Sequence, residues 1–520
     1  MSINVNGLAE KQKRTLIFDY MRTYQADIFI LQETHNATAE DEAGWAREWG
    51  GISIWSRGSH RSCGVGILLR QNSEINIVST KHDNEGRVVS AKLQHNDKEL
   101  NIINVYAPNS PGERKNFMEN LWQYKTGDTN LLLGGDFNCV EDISKDRQGG
   151  NPLTGTTGTK ELHDFTEQNK IIDIWRHQHP HDRIFTWHNR DFSLRSRLDR
   201  WYTPNDIKRG VVSCIRACPH SDHAAVEIMI ELAPGKRRGR GVWKLNNMIL
   251  QDQAFQREIG YVHTFWTAKK QLYDDKLEWW DEVKTHFKEV AIKHTIRKAR
   301  ERTQQERYLQ STLTRLQNES NPDIAHIANI KEQLTALVKE RLEGVKIRSR
   351  ATWLEEGERP TKYFFALEQT KQSKATITKL RTDNGVITSD SEILNQAAAY
   401  YSNLYTDEAI DETAQTWFLD QTDKRLSDAA RDTCEGPITR KELDNAIKKM
   451  HENKAPGPDG LSTEFYRTFW PLLADDLIEI FNFGHEEGKL SESQMTSLLR
   501  LLFKKGDREL LDNWRPISLL

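Results

Sequence analysis

The 520-residue chain has no run of 18 apolar residues and no signal-peptide pattern at its start, so neither a membrane-spanning helix nor a membrane partner is expected. Cysteine is scarce: the five present are odd in number and scattered, which suits a reducing compartment rather than a disulfide framework. No charge sign is in excess. The 73 Lys and Arg against 76 Asp and Glu leave a net charge of −3, so the chain as a whole is not a basic nucleic-acid binder. Cys214, Cys218, His220 and His223 superficially suggest a zinc cluster, but their spacing is not that of a standard finger and the segment reads as strand plus turn. The length predicts several domains.

What is present is a series of strand ends of one design. Leu131-Leu132-Leu133 reads as a buried strand that delivers Gly134-Gly135-Asp136-Phe137-Asn138 to its C-terminal end, where ligands bind in α/β folds. Asp27-Ile28-Phe29-Ile30-Leu31 runs into Gln32-Glu33-Thr34-His35, and Leu100 to Val105 runs into Tyr106-Ala107-Pro108-Asn109. Ile3-Asn4-Val5-Asn6 is stopped by Gly7, Arg197-Leu198-Asp199 opens a β-prone stretch, and Ser221-Asp222-His223 precedes another strand. If these strands share sheets, Asn4, Glu33, Tyr106, Asp136, Asn138, Asp199, Asp222 and His223 meet at one rim.

Such a set suits phosphate cleavage with a hard cation. Mg²⁺ takes oxygen ligands, often one or two carboxylates plus substrate phosphate, and polarises the phosphoryl oxygen. A histidine beside an acid is held in one tautomer and can stabilise charge on phosphate. Each residue also has a plainer reading: Glu33 as a loop acid, Asp136 as a turn residue, Asp222 as a cap, His223 as a half-buried imidazole and Tyr106 as packing. Their joint occurrence favours one site.

In this order, over residues 1 to about 232, these motifs resemble the endonuclease/exonuclease/phosphatase family, in the variant similar to the apurinic-type endonuclease domain of LINE-type (non-LTR) retrotransposons. The resemblance implies an α+β or α/β fold, a two-sheet sandwich flanked by helices (DNase I-like). It implies that Glu33 ligates Mg²⁺ (Mn²⁺ can substitute), with Asn4 nearby and Asp222 serving metal or water. Asp136 would position or deprotonate the attacking water, Asn138 would orient it or hold the phosphate, and Tyr106 would hydrogen-bond the phosphate or the nucleophile. Asp199 would orient His223, which stabilises the transition state. Thr186, in Phe185-Thr186-Trp187, matches a DNA-contacting position, and Asn109 joins it as an expected DNA contact. Relatives have a longer first strand, so Met1 is expected to be an internal methionine of a longer frame.

Beyond this domain, Pro234 to Gly241 is a basic, glycine-rich linker (233–242) whose Lys236, Arg237, Arg238 and Arg240 suit phosphate backbones or simple solubilisation. From 243 to 350, Trp and Leu recur at helical spacing and Ile292 to Arg302 is basic. Asn321-Pro322 breaks the run, so a helical connector with an antiparallel pair is expected. Residues 351–445 begin with Ala351 to Phe365, similar to the segment before the polymerase in LINE-type proteins. Residues 446–520 hold Asn453 to Leu461, Lys504 to Asp507 and Asn513 to Leu519, which resemble the opening of reverse-transcriptase fingers. The family's catalytic aspartates lie downstream of these motifs, and Asp475-Asp476 reads as a solvated helix face. No DNA synthesis is therefore expected, and the tail is expected to fold poorly alone.

The reading is a Mg²⁺-dependent DNA endonuclease of a LINE-type element that nicks one strand, leaving 3′-hydroxyl and 5′-phosphate. Its expected partners are DNA and the element's own RNA, and its expected place of action is the nucleus after cytoplasmic synthesis. The rivals are an abasic-site repair nuclease of the same fold, a non-catalytic nucleic-acid-binding relic, and a lipid or inositol phosphatase. The tail beyond residue 350 disfavours the first and third, and the basic linker also weighs against the phosphatase.

Overall fold

A computed structural model describes residues 1–519 except 25, 72, 97, 128–129, 152–154, 231–240, 320, 350–376, 383–384 and 407–409. The chain forms two compact units, Met1–Lys236 with Thr303–Thr370, and Arg237–Arg302 with Lys371–Leu520. The linker cations Lys236, Arg237, Arg238 and Arg240 and the segment 351–365 lie outside the described residues.

The first unit carries strands β1 (Ser2–Asn4), β2 (Ile28–Gln32), β3 (Ser53–Ser56), β4 (Val65–Leu69), β5 (Asn76–His82), β6 (Val88–His95), β7 (Lys98–Tyr106), β8 (Leu131–Asp136), β9 (Arg147–Gln148), β10 (Ile171–Asp173), β11 (Trp187–His188), β12 (Arg195–Ser196), β13 (Asp199–Pro204), β14 (Val211–Arg216) and β15 (Ala225–Ile230). Its helices are α1 (Lys11–Thr23), α2 (Ala39–Trp49), α3 (Pro111–Glu119), α4 (Ile143–Asp146), α5 (Thr159–Gln168) and α6 (Ile174–Gln178). Two six-stranded mixed sheets form, in the orders β14-β15-β1-β2-β4-β3 and β10-β13-β8-β7-β6-β5.

Strand alternation decides how these sheets are covered. Ile30, Ile67, Ala91, Ile102, Leu132 and Trp201 form the core between the sheets. Their neighbours point the other way. Phe29 and Leu31 pack under Phe18, Met21 and Trp49 of α1 and α2, and Ile103, Leu131 and Leu133 pack under Met118, Leu162 and Phe165 of α3 and α5. Apolar residues on both faces explain why these strands read as continuous hydrophobic runs. Each such side chain contributes about 1.5–3 kcal/mol of burial. The expected two-sheet sandwich flanked by helices is the fold found.

Register then sets the rim. β1 runs parallel to β2, and β7 parallel to β8 with Tyr106 opposite Asp136. The C-terminal ends of both pairs therefore lie at one edge. Antiparallel β13 begins there, with Asp199 opposite Asp136. Gly134 and Gly135 are required by close approach. A Cβ on Gly134 would lie 2.6 Å from the Trp201 ring, and one on Gly135, at φ +137, would lie 2.0 Å from the Val105 carbonyl oxygen.

The second unit contains α7 (Gln253–Lys269) and the first part of α8 (Lys276–Asn318). Phe255, Trp266, Trp279 and Phe287 share a core with Phe465 and Leu473 of helices Thr463–Thr468 and Trp470–Glu486, so this part of the tail is not left without partners. The basic stretch of α8 is paired: Arg297 meets Glu258 at 2.6 Å and Lys298 meets Asp252 at 2.9 Å. The reading of Asp475-Asp476 as a solvated face needs correction. Asp475 is exposed, but Asp476 is buried and bonded to His263 at 2.7 Å and Lys270 at 2.9 Å, which hold its carboxyl below the usual range against burial. Helical period placed both acids on a helix but could not report the facing His263 and Lys270. α8 ends before Asn321-Pro322, and α9 (Ile324–Ser349) follows; from Thr303 onward both belong to the first unit. Among the described residues no helix is long and apolar enough to cross a membrane.

Gly135→Ala is expected to destabilise the first unit by about 3 kcal/mol, from positive-φ strain plus collision with the Val105 carbonyl. Gly44→Ala, within α2 and with nothing near its Cβ, is expected to stabilise by about 0.5–1 kcal/mol. Thermal unfolding of the full chain checks both, and equal effects would refute the packing account.

Candidate active site

The side chains at this rim form one hydrogen-bonded cluster. Asn4, Asp136 and Asp199 are almost fully buried, and His223 is 6% exposed. The Asn4 amide donates to Glu33 Oε1 at 3.1 Å and to Asp136 Oδ2 at 2.9 Å, so one NH₂ group spaces two carboxylates carried by different sheets. His223 Nδ1 bonds Asp199 Oδ2 at 2.9 Å, and its Nε2 lies 4.0 Å from Asp136 Oδ2. The Asn138 backbone N–H donates to Asp136 Oδ1 at 2.9 Å, and the Asn138 amide donates to the Ala107 carbonyl at 2.8 Å.

Beneath the rim, Gln32 Nε2 donates to Asn104 Oδ1 at 2.7 Å, and Asn104 donates to the Leu31 and Gly66 carbonyls at 2.9 Å, tying one sheet to the other. Two residues before Asp199 the chain is anchored: Arg197 bonds Asp146 at 2.7 Å and Asp173 at 2.6 Å, all three buried or nearly so. Removing one partner of such a cluster leaves an uncompensated buried charge.

The two carboxylates bridged by Asn4 are pushed in opposite directions. Burial, then the neighbouring charge of Asp199, lifts the Asp136 carboxyl to about 7 despite His223, Asn138 and Asn4. Burial also opposes ionisation of Glu33, but hydrogen bonds from His35, Tyr106 and Asn4 and the charge of His223 bring it down to about 2. Burial lowers the His223 imidazole, yet Asp199, Asp136 and Asp222 outweigh it and raise it to about 10. Burial and then Glu33 push the Tyr106 phenol far above its ordinary range. At neutral pH the site thus favours an imidazolium, an ionised Glu33 and a neutral phenol, while Asp136 holds its proton more tightly than an ordinary carboxyl. Widely separated carboxyl values are the usual basis for dividing acid and base roles.

Most residues expected at the site do meet there: Asn4, Glu33, Tyr106, Asp136, Asn138, Asp199 and His223. Asp222 sits beside them but does not reach Glu33; it accepts from Asn6 Nδ2 at 3.1 Å and Trp187 Nε1 at 3.2 Å. Among the described residues, Asp136, Asp199 and His223 form a group able to hold a metal, with ligand atoms within 4.8 Å of one another. The Asn4 Oδ1 accepts from the Asn6 N–H at 3.0 Å, which leaves it one further lone pair.

Thr186, expected on the DNA surface, is 2% exposed, and its hydroxyl accepts from the Leu198 and Asp199 N–H groups at 2.9 and 3.0 Å. It sets the start of β13 instead. Asn109 is exposed, with its carbonyl accepting from Arg114 at 3.0 Å. Cys214 and Cys218 are thiols that burial pushes up to about 11, and burial takes His220 down to about 4.

Sequence reasoning missed His35, whose Nε2 is 3.8 Å from Glu33, as well as Asn6 and Trp187. Glu33 and His35 both adopt positive φ, at 50° and 59°. Such backbone is uncommon for these residue types and tends to cluster at functional sites. The sequence carries no sign of it beyond the two polar residues after a strand.

Residues 1–223 match the Endonuclease/Exonuclease/phosphatase family. The chain is 30% identical over 531 residues to the "Transposon TX1 uncharacterized 149 kDa protein" of Xenopus laevis, a match covering 100% of this chain and 40% of that protein. The chain therefore spans less than half of that relative's length. It is 24% identical over 263 residues to the exodeoxyribonuclease of Bacillus subtilis, covering 45% of this chain and 99% of that protein. Among solved structures, an AP endonuclease from Archaeoglobus fulgidus superposes with a TM-score of 0.38 at 18% identity, over 44% of this chain and 98% of that one.

The charge cluster makes stability depend on pH. The His223 contribution is complete below its ordinary value of 6.5 and is lost as pH rises through about 10. Asp136 acts in the same sense between 3.8 and about 7, because its unfolded carboxyl releases the proton first. Asp199→Asn is expected to bring the His223 titration down by several units, read by NMR of ring-labelled histidine. A wild-type ring titrating near 6.5 would contradict the electrostatic account.

Proposed function

We propose that the chain, whose residues 1–223 match the Endonuclease/Exonuclease/phosphatase family, is a Mg²⁺-dependent DNA endonuclease of a LINE-type retrotransposon. The observation that carries this reading is the buried Asp199–His223–Asp136 cluster, joined through Asn4 to an ionised Glu33 at one rim. Identity to a transposon protein along the whole chain supports the element class.

The donor chemistry fits a hard divalent cation. Glu33 offers a carboxylate held ionised and directed by Asn4, His35 and Tyr106, and Asp136 is a second oxygen donor whose carboxyl burial and then the Asp199 charge hold above the ordinary range. Bound there, the ion supplies Lewis-acid polarisation of a phosphoryl oxygen. Asp136, at about 7, is matched to accepting the proton of an attacking water at neutral pH. Asn138 is fixed by its two bonds and can orient that water. His223, kept cationic by Asp199, stabilises charge developing on the phosphate, and the neutral Tyr106 hydroxyl can donate to it. In-line attack would leave 3′-hydroxyl and 5′-phosphate on one strand, the form that primes reverse transcription. The tail reads as the opening of a reverse transcriptase, and its adjacent acids Asp475 and Asp476 do not form a polymerase pair, because Asp476 is tied to His263 and Lys270. We place its action on DNA in the nucleus.

Supercoiled plasmid incubated with the full chain tests this. Nicked circles extendable by a polymerase are expected with Mg²⁺ and none with EDTA. Asp136→Ala and His223→Ala are each expected to slow nicking by about 10²–10⁴-fold. Glu33→Ala is expected to abolish nicking while DNA binding persists. A folded, cation-binding chain that does not nick would refute the reading and leave a nucleic-acid-binding relic.

A further inference from the structure

The β11–β12 hairpin stands directly against the catalytic pair. The Thr186 carbonyl accepts from the Ala224 N–H at 2.7 Å, next to His223, and the Thr186 hydroxyl holds the Asp199 N–H. Trp187 holds Asp222 through its indole and forms a β-bridge with His223. Yet β9, β11 and β12 are only two residues each. Hairpins of that length are not stable on their own, so the order of this one must come from what packs behind it.

What packs behind it is the end of α8 and the start of α9, residues that lie beyond the sandwich. The Phe185 N–H donates to Asn318 Oδ1 at 3.3 Å, Arg195 donates to the Gln317 carbonyl at 2.7 Å, and the Gln317 amide meets His188 Nε2 at 3.2 Å. Phe192, in the hairpin loop and stacked on His188 at 3.8 Å, is buried in one cluster with Leu309, Leu313, Leu316, Ile327 and Ile330. A small cavity is lined at once by Asp222 and His223 and by Gln317 and Asn318. Both sides of the hairpin are thus occupied, one by catalytic residues and the other by the helical pair.

We propose that the α8–α9 pair is a positioning element of the nuclease, which locks the β11–β12 hairpin against His223, Asp199 and Asp222 and so fixes where along the DNA the nick falls. This rests on the endonuclease reading for its substrate, while the lock itself rests on the contacts above. The occupied hairpin loop keeps Asn189 and Ser193 bonded to each other at 2.9 Å and leaves Arg190 exposed at the tip. Loosening the base of such a loop shifts its tip against a duplex and shifts His223 against the phosphate.

The test uses the full chain with Asn318→Ala, which removes the acceptor for Phe185; Asn318→Asp, which keeps it; and Leu313→Ala, which opens a cavity under Phe192. Nick positions are mapped on a defined duplex, kcat and KM are measured per folded molecule, and hydrogen exchange is followed in residues 185–196. Expected for Asn318→Ala and Leu313→Ala are a redistributed nick map, a kcat lowered about tenfold with KM changed less than about twofold, and faster exchange confined to that segment. Asn318→Asp is expected to keep the wild-type map. A loss of folded protein alone would lower yield without moving nick positions, and an unchanged map or unchanged exchange overturns the proposal. If the wild-type chain does not nick at all, the endonuclease reading fails by itself, and exchange in residues 185–196 still decides for or against the lock.

Discussion

A single imidazolium between two buried carboxylates is the constraint on which the rest of the first unit depends. Asp136 and Asp199 sit opposite each other on neighbouring strands, both almost without exposure, and the positive charge of His223, the amide of Asn4 and the backbone N–H of Asn138 make that juxtaposition tolerable. A buried carboxylate without such partners would be neutralised or would unfold its surroundings. The register of β8 against β13, the entry of β1 between β2 and β15, and the Arg197 anchor to Asp146 and Asp173 all bring these groups together. Burial and the charge of Asp199 still hold the Asp136 carboxyl above its ordinary range, so a further positive charge beside it would favour the ionised form.

Division of labour follows from environment more than from residue type. Glu33 and Asp136 are both carboxylic acids bonded to the same amide, yet one is held ionised near 2 and the other is lifted to about 7. The difference is in the neighbours: Glu33 is met by hydrogen bonds from His35, Tyr106 and Asn4 and by the charge of His223, whereas Asp136 faces the charge of Asp199 on the neighbouring strand. Four polar residues around the rim, Asn6, Glu33, His35 and Asn138, share left-handed backbone. The rigid strands deliver the chain to the rim, and these local reversals aim the side chains.

The fold and the meeting of the main site residues were legible because they follow from local pattern. An apolar run that stops in Asp, Asn or Glu announces a strand and its functional end, and parallel pairing then gathers such ends without fine detail. What stayed hidden depends on contacts made far along the chain. Thr186 could not be read as buried, because its partners are backbone groups of Leu198 and Asp199. Asp476 looked solvated because the side chains bonded to it, His263 and Lys270, come from more than 200 residues earlier. Asn6 and Trp187 hold Asp222 through single hydrogen bonds that no periodicity marks. The helical pair was visible as helices, but their return to the first unit is written only in which of their faces is apolar.

The two glycines before Asp136 have a consequence at the level of the gene. Glycine codons share their first two bases, so any change at either of those bases in codons 134 or 135 removes the glycine, and a side chain gained there meets the Trp201 ring or the Val105 carbonyl oxygen. Only third-base changes are silent. Two adjacent codons with this property form a small, exacting target for mutational drift. Among diverging copies of this sequence, the integrity of the first two bases of each codon, four in all, is a marker, readable from DNA alone, of whether β8 can still carry its carboxylate into the sheet.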